Sequence, residues 1–287
     1  MKWNRVQKIW CIFKSDSFTL GSLFILIFWT CVALIPILFH SFSSIPLHLE
    51  NRLTNPSSHF LLGVDGNGQS VARLIMNGAS TSLIVSLFTV SLSLFVGIPM
   101  GACAGFFGAT TDAFISRIID ILLAFPPLIL PIAMMAFFGG GMINVILALS
   151  ITGWVSYARV IRGQFLIYKE REFISAARSL GASNYRLMFK HIFPNTISPL
   201  AVQATFSLAG VIIAEAGLSF LGLGVNQDHV SWGGILNSAR DYLTTNPTLA
   251  FFPALALFSV VASLNFIGEA LRLSFDPKNL TANLESR

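Results

Sequence analysis

From residue 18 to residue 39 the chain runs FTLGSLFILIFWTCVALIPILF, twenty-two residues without a charge. At about 1.5 Å of rise per residue, a helix of that length crosses the roughly 30 Å hydrocarbon layer of a bilayer. Similar runs recur at residues 79–101, 113–138, 142–158, 197–223 and 248–271. Nothing else constrains the fold as strongly. Hydrocarbon offers the backbone no partner, so spans of this length must pair their own N–H and C=O groups as helices. The expectation is an all-α membrane protein with six transmembrane helices. The composition agrees, with 54% hydrophobic and 11% charged residues, where soluble domains carry about 25% charged. The first run is too long for a signal-peptide core and lacks an A-x-A site, so it reads as an uncleaved helix.

A net charge of +5 in a soluble protein would point to nucleic acid. Here the basic residues lie between apolar runs, the pattern that orients membrane helices. Four precede the first run (Lys2, Arg5, Lys8, Lys14) and seven lie in the central interval (Arg159, Arg162, Lys169, Arg171, Arg178, Arg186, Lys190). Three follow the last run (Arg272, Lys278, Arg287). With the N-terminus inside, these fourteen face the cytoplasm, and three (Arg52, Arg73, Arg240) face out. Both termini are therefore expected in the cytoplasm.

Within this frame, residues 41–78 read as a polar outer loop ending in a short surface helix at 71–76. Gly97, Gly101 and Gly105 recur every four residues, which strips one helix face of side chains so that a neighbouring backbone can approach. Pro126, Pro127 and Pro131 predict a kinked third helix, and Arg117 and Asp120, three apart, a local ion pair. Glu215 is an acid inside the fifth span. It is either functional or a buried glutamate satisfied by backbone or by another helix. Residues 224–247 read as a second outer loop.

The basic interval, RVIRGQFLIYKEREFISAARSLGASNYRLMFKHIFPNTISP from residue 159, contains two short amphipathic helices. Phe173, Ala176, Ala177 and Leu180 share one face, as do Tyr185, Met188, Phe189 and Ile192. Gly181 stops the first helix, Ser183 caps the second, and Pro194 closes the unit. So short a pair cannot bury its apolar face alone. It docks on a partner surface, or it is a solvated loop lying on lipid headgroups.

No G-x-x-x-x-G-K-[ST], H-E-x-x-H or G-x-S-x-G occurs. His191 sits beside Lys190, His40, His48, His59 and His229 are scattered, and Cys11, Cys31 and Cys103 have no ligand spacing. An enzyme is not expected. An ion-driven carrier is the competing class, but it would show several intramembrane ionisable residues and an internal repeat. Energy from a partner acting on the basic interval fits better.

Ala176, Ala177, Gly181 and Pro194 stand at the spacing of the E-A-A-x-x-x-G-x9-I-x-L-P loop, and the interval resembles that loop of binding-protein-dependent ABC importer permeases. Ser175 stands where the family has Glu, His191 where it has Ile and Phe193 where it has Leu; Glu172 lies three residues upstream of Ser175. HFLLGVDGNGQS at 59–70 is similar to a first-outer-loop stretch of the dipeptide, oligopeptide and nickel branch, matching at Leu62, Gly63, Asp65 and Gly68. Gln69 and Ser70 replace the family's Arg and Asp. DILLAFP at 120–126, YARVIRGQ at 157–164, AEAGLSFLGLG at 214–224, the following Ser231-Trp232-Gly233 and Phe275-Asp276-Pro277 resemble the same branch. In AEAGLSFLGLG the named positions are Glu215, Gly217, Ser219, Gly222 and Gly224, and close helix packing at a subunit interface is the expected use of the glycines.

The resemblance implies a type I importer permease in the bacterial inner membrane, with a tail, anchor helix and outer loop at 1–78, a permease domain at 79–273 and a tail at 274–287. The loop at 159–196 would couple it to ATPases. It further implies a second homologous permease, two ABC ATPase subunits that bind ATP and Mg, and an extracytoplasmic peptide-binding protein. No cofactor or metal is expected on this chain. Import of dipeptides or oligopeptides is the first reading and nickel or another small solute the alternative.

Overall fold

Helices occupy every apolar run of the chain. The computed structural model describes residues 17–39, 49–225 and 229–275. Its helices are α1 (Ser17–Leu38), α2 (Val71–Phe107), α3 (Ala109–Leu123), α4 (Ile129–Phe138) and α5 (Met142–Lys169). They continue as α6 (Glu172–Ser179), α7 (Asn184–Phe220, with a π-helical stretch at Leu187–Ile192), α8 (Trp232–Ala239) and α9 (Thr248–Phe275). Helices α1, α2, α5, α7 and α9 are long and apolar enough to cross a membrane. The basic residues Lys2, Arg5, Lys8 and Lys14, with Cys11, His40, His48, Asp228, Asp276, Pro277, Lys278 and Arg287, lie outside the described residues.

Several expected boundaries move. The surface helix at 71–76 and the span at 79–101 are one helix, α2, so residue 78 lies inside a helix. No glycine or proline separates the two stretches strongly enough to break it: Gly78 is helical and packs on the Trp232 indole. The single kinked helix at 113–138 is instead two, because Pro126 and Pro127 follow each other and neither has an N–H to carry the ladder across 124–128. The fourth span continues eleven residues beyond 158, so Arg159, Arg162 and Lys169 ride on a helix rather than in a loop. Residues 224–247 hold α8 and a 3-10 turn at Arg240–Tyr242.

The centre of the bundle is the α2–α5 pair, and the glycine stripe makes it. A Cβ on Gly97 would stand 2.6 Å from the Trp154 carbonyl, and one on Gly105 would stand 2.6 Å from Phe165 Cβ. At Gly101 it would overlap the Ala158 carbonyl. Helix α7 crosses this pair, and Val85, Met135, Val145, Leu149 and Leu218 join α2, α4, α5 and α7 in one apolar cluster. Helices α1 and α9 close the other flank. Trp29 of α1 donates to Ser259 of α9 (2.9 Å), and Ser80 of α2 donates to the Ala33 carbonyl (2.5 Å). Helix α3 is tied to α5 by a forked ion pair, Arg162 Nε and Nη2 to the two Asp112 oxygens at 2.5 and 2.7 Å. The expected Arg117–Asp120 pair is not formed; the ion pair of α3 is the one between Asp112 and Arg162 of α5.

Candidate functional site

At one end of the bundle, α6 and the start of α7 form the helix–glycine–helix unit. Helix α6 ends in a full Schellman motif: Ala182 N–H bonds the Ala177 carbonyl (3.1 Å) and Gly181 N–H the Arg178 carbonyl (3.0 Å). That geometry puts Gly181 at φ +82°, where a side chain is strained. Ser183 caps α7 by accepting from Arg186 N–H at 3.4 Å. Both turn expectations hold. Pro194 does not close the unit. Helix α7 runs through it, and the missing proline N–H lies beside a stretch that has slipped to π pairing, with Phe193 N–H bonded to the Met188 carbonyl.

The π stretch also re-sorts the faces. Ile174, Leu187, Met188 and Ile192 are buried against Ile161 and Phe165 of α5. Phe173, Leu180, Tyr185 and Phe189 are exposed, Leu180 at 89%, and the Tyr185 and Phe189 rings lie 4.5 Å apart. The four-residue face expected in the second helix is thus split, with Met188 and Ile192 inward and Tyr185 and Phe189 outward. Glu172 stands in the first turn of α6, where its charge suits the helix N-terminus, and Ser175 and Ala176 are exposed beside it while Ala177 is half-buried. One side of the unit is welded to α5; the other presents an unpartnered apolar ridge.

The other sequence motifs meet at the opposite end. Gly63 (φ +82°) and Gly68 (φ +78°) turn a tight loop closed by the Val64–Ser70 bridge. Asp65 Oδ1 accepts from Asn67 N–H (2.9 Å) and Gln69 N–H (2.7 Å). Burial pushes this carboxyl up from the ordinary aspartate range, against the two backbone bonds that pull it down. Tyr242 packs on Gly66, and its hydroxyl accepts from Arg52 at 2.8 Å. A cavity of about 650 Å³ opens between this loop, the end of α7 and α8, lined among others by Asp65, Gln69, Ser219, Gly222, Ser231 and Tyr242.

Behind that cavity Glu215 is fully buried. Ser82 of α2 donates to its Oε2 (3.2 Å), Ser219 donates to its Oε1 (2.7 Å), and the Ser231 hydroxyl approaches the same carboxylate. It is the satisfied buried glutamate, held by side chains of another helix and a loop. Gly222 (φ +79°) ends α7 in a second Schellman motif, with Leu223 N–H on the Leu218 carbonyl. Gly224 folds back on Ser219, and Gly217 meets nothing closer than Leu128 at 4.0 Å. Within the chain Gly222 and Gly224 serve the turn rather than helix packing, and Gly217 lies inside α7 with no close neighbour. Neither Ser82 nor the Asp112–Arg162 pair is legible in the sequence, since serine in a span and an acid at its edge carry no periodic signal. Trp232, noticed as part of a motif, anchors α8: its indole donates to the Ile75 carbonyl (3.0 Å) and stacks edge-on against Trp29.

An all-helical bundle with five helices long and apolar enough to cross a membrane, and a basic helix–glycine–helix unit with one buried and one exposed face, has the architecture of a membrane protein. The chain belongs to the family described as the binding-protein-dependent transport system inner membrane component, whose model matches residues 97–280. It is a permease subunit of the inner membrane and not an enzyme. It is 39% identical over 223 residues to the glutathione transport system permease protein GsiD of Pectobacterium atrosepticum, spanning 78% of this chain and 74% of that one. It is 36% identical over 265 residues to the dipeptide transport system permease protein DppC of Alkalihalophilus pseudofirmus, spanning 92% and 87%. Its fold matches a chain of the MetNI methionine ABC transporter in an inward-facing conformation, with TM-score 0.61, 21% identity and coverage of 71% and 97%.

Proposed function

We propose that this chain is one of two homologous permeases in a type I ABC importer of dipeptides or oligopeptides. The carrying observation is the exposed ridge Phe173–Leu180–Tyr185–Phe189 on a unit whose other face is buried on α5. A ridge of that kind suits a groove on a soluble ATPase subunit, and two such subunits hold ATP and Mg while this chain holds no cofactor. The peptide substrate is supported by the similarity to glutathione and dipeptide permeases. An extracytoplasmic binding protein delivers the peptide, as the family description suggests.

In this reading α3 and α4 together make the sixth crossing, broken at 124–128, and the ridge and both termini face the cytoplasm. The cavity end then faces out. Sequence division places the anchor region at 1–78, the permease unit at 79–273 with its coupling segment at about 159–196, and a tail at 274–287. ATP-driven closure of the ATPases moves the α6–α7 unit, and α5 carries that motion into the bundle. Uptake of labelled dipeptides, glutathione and nickel by a deletion strain, with and without the restored chain, tests the substrate. Peptide uptake restored by the chain is expected; restoration of nickel uptake alone would overturn the peptide reading.

A further inference from the structure

Glu215 lies between two cavities. Ser219 and Ser231, two of the hydroxyls around its carboxylate, line the outer cavity of about 650 Å³. Ser82, the third, lines a mostly apolar cleft of about 230 Å³ between α1, α2, α7 and α9, together with Trp29, Ser86 and Trp232. The carboxylate itself is exposed to neither. Its partners come from three separate pieces of chain: Ser82 from α2, Ser219 from its own helix one turn on, and Ser231 from the cap of α8. Ser231 also accepts from Gly234 N–H at 3.2 Å, so whatever fixes Ser231 fixes the first turn of α8. Beside it, Gly233 lies so close on α7 that a Cβ would overlap the Ala216 backbone.

We propose that Glu215 is a positioning residue that seals the outer cavity from the apolar cleft, by tying the first turn of α8 to α2 and α7. The geometry suits a seal that can open. Ser219 moves with Glu215 on one helix, whereas the bond from Ser82 crosses between helices and, at 3.2 Å, is longer than the 2.7 Å bond from Ser219. Separation of α2 from α7 breaks that bond and leaves a buried carboxylate short of a donor. The closed arrangement is therefore favoured until the helices are driven apart. An alanine would leave three hydroxyls without their common acceptor and open space between the cavities. A glutamine keeps an acceptor oxygen in the same place.

The proposal rests on the importer reading for which side is outside, but its test needs no transported substrate. In the assembled transporter in native vesicles, with Cys11, Cys31 and Cys103 replaced by serine, Ser86→Cys places a thiol in the cleft. A membrane-impermeant methanethiosulfonate is added from outside. Slow labelling is expected with Glu215 present and with Glu215→Gln. With Glu215→Ala the rate should rise about tenfold, the population shift expected when a buried hydrogen-bonding partner is lost. Ser82→Ala, which removes only the bond between helices and leaves the carboxylate, should raise it by a smaller factor and guards against misfolding of the first variant. Rapid labelling with Glu215 intact, or with Glu215→Gln, overturns the seal. So does an unchanged rate in both Glu215→Ala and Ser82→Ala. Absence of peptide uptake by the unsubstituted protein, with the expected labelling pattern in the variants, would count against the importer reading and leave the seal standing.

Discussion

Gly181 is held at φ +82° in a Schellman turn, with open space where a Cβ would stand. A substitution there meets no neighbour; its whole cost is backbone strain, about 1–2 kcal/mol for a β-branched residue. That strain relaxes by changing the angle between α6 and α7, and so the spacing of Leu180 from Tyr185 along the exposed ridge. The spans are stabilised by clusters elsewhere, so Gly181→Val should leave the protein inserted and expressed while peptide uptake falls sharply. Gly181→Ala should do less harm. Uptake measured beside co-purification of the ATPase subunits checks this; normal transport by the valine variant with its ATPases bound would remove the unit from the coupling path.

Between helices, close approach decides stability. At Gly101 the α2 and α5 backbones are near enough that any side chain displaces one of them. Overpacking of this kind costs about 1–3 kcal/mol or more. Gly101→Val should therefore lower the thermal midpoint in detergent and the amount of assembled protein. Gly210 on α7 has nothing within 4 Å of its Cβ position, so Gly210→Ala should change little. Equal midpoints for Gly101→Val and the parent protein would show that the stripe is not a packing surface. Between α3 and α5 the Asp112–Arg162 fork does by charge what the glycines do by shape.

Across the whole molecule, α2 and α7 are each 37 residues, about 55 Å at 1.5 Å per residue, and overrun a layer of roughly 30 Å. The excess of α2 carries the cavity end and that of α7 carries the basic unit, so one bundle presents two surfaces far apart. Arg52 bonds Tyr242, which brings the loops on either side of residues 52 and 242 to the same end. Reporter fusions at Asn55 and Asp241 should accordingly lie outside, and fusions at Arg178 and Arg287 in the cytoplasm. A reporter on the wrong side breaks the six-crossing arrangement.

Apolar length and Lys/Arg distribution are properties of the chain itself, so the helical class and the expected orientation could be read from residues alone. The same holds for Gly181 and Ser183, whose roles depend on φ and on one hydroxyl within a few residues, and for the α2 glycine stripe, whose repeat is local. Other features needed the third dimension. Whether Pro194 ends a helix depended on a π slip that α5 packing supports. Whether Tyr185 and Met188 share a face depended on the same slip. Arg117 and Asp120 stand three apart and do not pair, while Asp112 and Arg162 pair across two helices, because an ion pair is settled by distance in space rather than by spacing along a helix. Glu215 shows the division most plainly. Its sequence marks a buried acid, but its three hydroxyls sit at positions 82, 219 and 231, and only the tertiary fold brings them to one carboxylate.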